Sequence, residues 1–214
     1  MTVGPPRFLT VVAVPNRDRQ TERREATRRE ILHAAWDVAR EQGLATLTLR
    51  EIATRVGMRP PSLYSHFASK NAIYDAMYGQ AWQTYLDLIP EQRAQLPSEP
   101  RAALKFVARL FFDFAAADLA RHQLMTQRTI PGFTPSHESY AIAVEVLDEL
   151  HQLLDRFGIR DPAAPDLYTA LVCGLVDQQW ANDPGGDRWR RLLDRAIDMY
   201  ADEMGLPGPR GDTP

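Results

Sequence analysis

A single cysteine, Cys173, stands among 214 residues, so no internal disulfide can form and a reducing, cytoplasmic setting is expected. Its neighbours Leu171, Val172 and Leu175 are apolar, which favours buried packing over redox sensing. No apolar run approaches the ~20 residues of a membrane helix, so no membrane partner is expected. Residues 8–14 form a short apolar patch after Arg7, but Pro15 and a charged run follow without a small-residue cleavage site. That pattern argues against a signal peptide. Catalytic signatures are equally thin, with no Gly-x-Ser-x-Gly elbow, no P-loop and no GxGxxG. The five histidines, at 33, 66, 122, 137 and 151, show no metal-ligand spacing. No catalysis, cofactor or metal is expected.

What is present is a composition of 44% hydrophobic and 25% charged residues, ordinary for a globular protein. The charge is uneven. Residues 1–70 hold 12 Lys+Arg against 7 Asp+Glu, a net of +5, while the remainder holds 13 against 21, a net of −8. A basic first third on an acidic body suits a DNA-reading head on a self-associating trunk.

Within that basic third, Thr48-Leu49-Arg50-Glu51 reads as a capping box opening a short helix. Ile52, Ala53 and Val56 supply its apolar face, and Gly57 can take the positive φ that ends it. A second helix follows, with Pro60 and Pro61 in its first turn, where a missing N–H costs little. Leu63 and Phe67 anchor its inner side and leave Ser62, Tyr64, Ser65 and His66 to line the rest. Two short helices joined by a glycine turn make a helix-turn-helix, which points to double-stranded DNA as partner.

The run Val56-Gly57-Met58-Arg59-Pro60-Pro61-Ser62-Leu63-Tyr64-Ser65-His66-Phe67-Ala68-Ser69-Lys70 resembles the signature of the tetracycline-repressor (TetR) family. The resemblance covers residues 21–78 as motif and the remainder only as helix pattern. Arg59 departs from the serine or threonine cap of many members. The resemblance implies that Pro60, Pro61 and Ser62 touch base edges, while Arg50 forks onto a guanine. Arg59 is placed for a base or a phosphate, and Thr48, Tyr64, His66 and Lys70 for phosphates. It further implies an all-α fold: a three-helix head over residues 21–70 on a helical effector-binding and dimerisation body over residues 71–205. Residues 1–20 are expected to be a mobile tail and residues 206–214 disordered.

In order along the chain, Ile31, Leu32, Ala35, Val38 and Ala39 mark a first helix over residues 21–42. Its arginines, including 23, 24, 28 and 29, either reach DNA or form a solvated face paired with Glu22, Glu25 and Glu30. Ser69 caps a helix expected to run to Ile89, where Pro90 ends it, and to join head to body. Ser98 is expected to cap the next helix, in which Phe106, Phe111, Phe112 and Phe114 crowd within nine residues. Such a stripe is either the wall of a cavity or plain core. A short helix over 119–127 precedes a loop containing Phe133, and Ser136 caps a helix bearing Tyr140 and Val144.

Phe106, Leu110, Phe111, Phe114, Met125, Phe133, Tyr140 and Val144 are thus the expected apolar lining for a small-molecule effector. His122, Gln123 or His137 would be its polar anchors. Two C-terminal helices, with Leu167, Leu171 and Gly174 on one and Trp189, Leu193, Ala196 and Tyr200 on the other, are expected to pair with a second copy. The functional expectation is a homodimeric repressor on an inverted-repeat operator, released by a small hydrophobic or aromatic effector. The alternative is a helical protein, enzyme or interaction module, that keeps the head without binding DNA.

Overall fold

The computed structural model describes residues 16–208, and among these every regular element is helical. In chain order they are α1 (Asn16–Gln42), α2 (Leu49–Val56), α3 (Pro60–Leu63), α4 (Lys70–Arg93) and α5 (Pro100–Ala116). There follow α6 (Leu119–Thr126), α7 (His137–Arg156), α8 (Ala164–Asn182) and α9 (Leu193–Glu203). The all-α class is as the sequence predicts. The apolar patch at residues 8–14 and most of the two expected tails lie outside the described residues.

At the described ends the chain is more ordered than expected. The first helix opens at Asn16 rather than residue 21. Past Gly205, Leu206 is buried, and its N–H donates to the Ala201 carbonyl at 2.9 Å. The reason is Arg101, a buried guanidinium that donates to the carbonyls of Leu206 and Pro207 and to Asp202, each at 2.6 Å. A charge removed from water needs several partners. The chain past α9 supplies them.

Other boundaries differ by their caps. The α5 N-cap is Glu99, not Ser98, because its carboxylate accepts from the N–H groups of Arg101 and Ala102 while Pro100 opens the first turn. Pro90 does not end α4, which runs on to Arg93. One missing backbone bond is tolerated there because Leu88 and Ile89, just ahead of it, pack against the core. Ser69, Asp118 and Ser136 each accept an N–H from their own first turn, as good N-caps do.

Two apolar cores result. The first joins the head to α4 and α6 through Ile31, Val38, Leu47, Ile52, Leu63, Phe67, Ile73, Met77 and Leu124. Polar ties reinforce it: the Tyr74 hydroxyl donates to the Leu44 carbonyl at 2.5 Å and Trp36 Nε1 to Gln80 at 2.8 Å. The second core gathers α5, α7, α8 and α9 around Leu104, Phe112, Val172, Leu193 and Ile197. Phe111 packs against both. The seam between the cores is where the body is hollow.

Candidate DNA-reading head and effector cavity

In the head, Thr48 Oγ1 accepts the Glu51 N–H at 3.3 Å, which opens α2. The expected return bond from Glu51 is replaced: its carboxylate accepts from Gln42 and pairs with Arg55 at 3.6 Å. Gly57 then takes φ 72°, a left-handed conformation that any Cβ would strain, and Met58 N–H closes on the Ala53 carbonyl at 2.8 Å. This turn throws α3 outward across α2. Pro60 and Pro61 occupy its first turn, and Phe67 N–H returns to the Leu63 carbonyl at 3.0 Å.

Leu63 and Phe67 are buried beneath, as the spacing predicts. The opposite side leaves Arg50, Arg59, Pro60, Pro61, Ser62 and Tyr64 exposed, with Tyr64 55% in solvent. His66 and Lys70 are half-buried, and the Lys70 ammonium lies 5.4 Å from the centre of the Tyr74 ring. The nine residues expected at DNA, from Thr48 ahead of α2 to Lys70 at the start of α4, are thus all exposed or half-buried. The unexpected participants are Arg24 and Arg28. Arg24 donates to the Ser65 carbonyl at 3.4 Å, and Arg28 donates to the His66 carbonyl while its guanidinium stacks 4.1 Å over Phe67. Neither of the two readings of these arginines anticipated that they hold the backbone of Ser65 and His66 in place.

In the body, a cavity of about 740 Å³ opens between α4, α5, α6, α7 and α8. Four expected residues line it: Phe106, Leu110, Phe111 and Met125. The other six do not. Phe114 turns to Tyr85, 5.1 Å between ring centres, and the Arg121 guanidinium lies over its ring, 3.6 Å from the centre. Phe133 packs on Tyr74 at 5.6 Å. His137 is exposed at the start of α7, and Tyr140 and Val144 are exposed further along it. Val144 follows the lining residue Ala143 by one position, about 100° around the helix, and so faces out. His122 is buried just behind the wall, its Nε2 2.6 Å from Asp177 Oδ1, which also accepts from Gln127 at 2.7 Å. Asp177 itself lines the cavity.

The sequence reading missed the α4 wall of Trp82, Tyr85 and Ile89, the α7 wall of Val146 and Leu150, and the α8 wall of Tyr168, Val172 and Cys173. The 3- and 4-residue steps of Trp82, Tyr85 and Ile89 were visible, but nothing local says whether such a face meets atoms or a hole. Tyr85 sits edge-on to Phe111 at 5.3 Å, and burial raises its phenol pKa. Burial, with the Asp177 charge second, pushes the Cys173 thiol up to about 11. Polar side chains, Gln92, Arg93, Glu149, Gln152 and Arg156, also border the cavity, with Arg93 and Glu149 paired at 2.7 Å.

The expected dimer face needs correction. Leu193 is 0% exposed and Tyr200 is buried, its hydroxyl donating to the Ala164 carbonyl at 3.0 Å. Both complete the second core of their own chain and offer nothing to a partner. Trp189 and Ala196 are half-buried. Leu167, 49% exposed, with Leu171 and Gly174 remain on an outer side of α8, and Leu192 and Met199 are exposed near and on α9.

Residues 31–77 match the family described as bacterial regulatory proteins, tetR family. The HTH-type transcriptional activator FasR of Mycolicibacterium smegmatis is 27% identical over 167 residues, 75% of this chain and 74% of that protein. The class A tetracycline repressor from transposon 1721, from Escherichia coli, is 43% identical over 47 residues, 22% of each chain. Among solved structures, the fatty acid degradation regulator FadR from Bacillus halodurans superposes with a TM-score of 0.66 at 20% identity. That superposition covers 86% of this chain and 96% of that one.

Proposed function

The chain belongs to the tetR family of bacterial DNA-binding regulators, and from that premise we propose that it is a homodimeric repressor released from an inverted-repeat operator by a small apolar or aromatic effector. The observation that carries this reading is the 740 Å³ cavity walled by Trp82, Tyr85 and Ile89 of α4, the helix whose first residue is Lys70 in the head. A cavity of that size is within the range of drug-sized ligand sites. In this reading residues 21–70 act as head and residues 71–205 as body. Arg50, Pro60, Pro61 and Ser62 read bases, Arg59 takes a base or a phosphate, and Thr48, Tyr64, His66 and Lys70 hold phosphates. The second copy docks on the exposed apolar side chains of α8 and α9. Two heads on a two-fold axis then read two half-sites.

The test is a binding titration on a duplex selected by the protein from a random library. Affinity should fall steeply with salt, because neutralised phosphates release counterions. A panel of apolar compounds, long-chain fatty acids and planar aromatics included, should contain one that weakens binding about 5- to 150-fold, the range of ordinary allosteric coupling. Binding that ignores salt would remove the DNA reading. Salt-sensitive binding that no apolar compound weakens would remove the effector. A reporter assay in cells fixes the sign, since FasR is named an activator.

A further inference from the structure

Asp166, Thr169, Ala170, Cys173 and Asp177 step along α8 by 3, 1, 3 and 4 residues, a single helical face, and all five line the cavity. The carboxylate at the end of that row is held from behind. Its Oδ1 accepts from His122 Nε2 at 2.6 Å and from Gln127 Nε2 at 2.7 Å. His122 is 1% exposed, so this network is built into the protein rather than laid on its surface. Both donors converge on one oxygen. Oδ2 accepts from nothing among the described residues, although a carboxylate offers about four lone-pair sites.

The bordering cations are engaged or distant. Arg93 is paired with Glu149 at 2.7 Å, and Arg156 closes α7 just before the turn into α8. From Ala164, where α8 opens, to Asp177 is about 20 Å of helix at 1.5 Å per residue. Aromatic rings stand closer. Tyr168 donates to the Leu104 carbonyl at 2.7 Å and Trp180 Nε1 to the Ala115 carbonyl at 3.4 Å, so α5 and α8 run side by side in one direction. Phe111 is therefore level with the stretch between Cys173 and Asp177, and Tyr85 meets it edge-on at 5.3 Å. The Tyr85 hydroxyl has no hydrogen-bond partner among the described residues, although Tyr85 is 3% exposed. A carboxylate with a free oxygen beside aromatic rings attracts an organic cation by charge, by hydrogen bonding and by the ring quadrupole.

On the effector reading proposed above, we infer that the occupant of the cavity is an apolar amine whose ammonium donates to Asp177 Oδ2. Its hydrocarbon part lies against Leu110, Val146 and Leu150. His122 and Gln127 are positioning residues, which fix the carboxylate through Oδ1 and leave Oδ2 for the ligand. An alcohol of the same skeleton keeps one hydrogen bond without the charge. A carboxylic acid brings like charge against like.

The probes are 4-phenylbutylamine, 4-phenylbutanol and 4-phenylbutyrate, which differ only in the end group. Calorimetry on the full chain reads binding, and titration of the selected duplex reads release. In the wild type the amine should bind about 10-fold or more tighter than the alcohol, and the carboxylate more weakly than either. Asp177→Asn keeps the side-chain shape and an oxygen for His122 and Gln127 but removes the charge. It should weaken the amine about 10-fold and move the alcohol less than about 3-fold. Asp177→Glu returns the charge and should recover most of the preference for the amine. If Asp177→Asn does not melt as a folded helical protein, the wild-type ranking decides alone. A wild type that prefers the alcohol or the carboxylate, or a folded Asp177→Asn that weakens all three alike, overturns the amine anchor. Release of the duplex by neutral or acidic apolar compounds but by no amine also overturns it, and leaves the effector reading standing. A chain that no apolar compound of any end group releases from DNA overturns both.

Discussion

Replacing Leu193 and Leu167 separates the inner face of the C-terminal helices from the outer one. Leu193 is fully enclosed in the second core by its own chain. Truncation to alanine there should cost about 3 kcal/mol, the usual order for a buried leucine once the residual cavity is included. For a chain of this length each kcal/mol lowers Tm by about 2–4 °C, so a drop of about 6–12 °C is expected. Leu193→Glu should do worse, because a carboxylate without a partner in an apolar core either stays ionised at great cost or must bind a proton. The chain should then unfold rather than dissociate. Leu167 is 49% exposed, and Leu167→Glu should change monomer stability by about 0.5 kcal/mol or less. It should nevertheless weaken self-association, since a two-fold interface places the new charge in both copies. Thermal melting by circular dichroism and sedimentation at several concentrations read the two quantities separately. A Leu193→Glu protein that melts like wild type and sediments as a folded monomer would refute the assignment of that residue to the core.

Four further outcomes follow from the geometry. Arg50→Ala should relax discrimination at one base pair by about 1–3 kcal/mol, whereas Lys70→Ala should weaken all duplexes alike and flatten the salt slope; a binding comparison on matched and single-mismatch sites tells them apart. Phe111→Ala, at the seam of both cores, should alter the response to any active compound more than it alters Tm, as judged by parallel titrations and melts; a loss of ~3–5 kcal/mol with no change in response would make it plain core. Arg101→Leu should release the chain after α9 and cost about 3 kcal/mol, since several charge-assisted bonds go at once, visible as early proteolysis at the C-terminal end. Burial raises the pKa of Tyr85 and Tyr168 and pushes Tyr200 up to about 12, so above pH 10 the folded chain keeps protons that the unfolded chain has lost. Stability should therefore hold below that pH and fall as pH rises through 10 to 12, which a series of denaturant melts would register.

The head was legible because its determinants are local. A hydroxyl cap, a positive-φ glycine, two prolines and the Leu63–Phe67 pair each act within four residues, and each does in the structure what its position predicts. Partners further away were not legible. Glu51 had a short-range role available and took Gln42 and Arg55 instead. Arg28 could not announce that its acceptor lay 38 residues ahead. In the body, helical spacing identified apolar faces but not their neighbours. Phe111 and Phe114, one turn apart on α5, end up on the cavity wall and against Tyr85 with Arg121 respectively. Leu193 and Tyr200 were read as a face for a second copy because α9 shows one strong apolar stripe. A stripe alone does not say whether the chain's own α5 and α8 or another molecule covers it. Asp75 of α4 carried no signal at all, although its carboxylate accepts from the Ser136 N–H and from the Ser136 and Ser139 hydroxyls, more than 60 residues on.

The clasp that Arg24 and Arg28 place on the backbone of Ser65 and His66 has a thermodynamic consequence. Four residues of helix do not persist in water by themselves, because nucleating a turn costs more than its few bonds return. Here α3 persists by being held: Gly57 sets its entry, Leu63 and Phe67 root it, and two guanidiniums from α1 secure its exit. The surface proposed to meet DNA is thus already ordered before any duplex arrives. Association should then proceed without the slow phase of a coupled folding step. Its heat-capacity change should scale with the contact area alone, lacking the excess that accompanies a segment that folds as it binds.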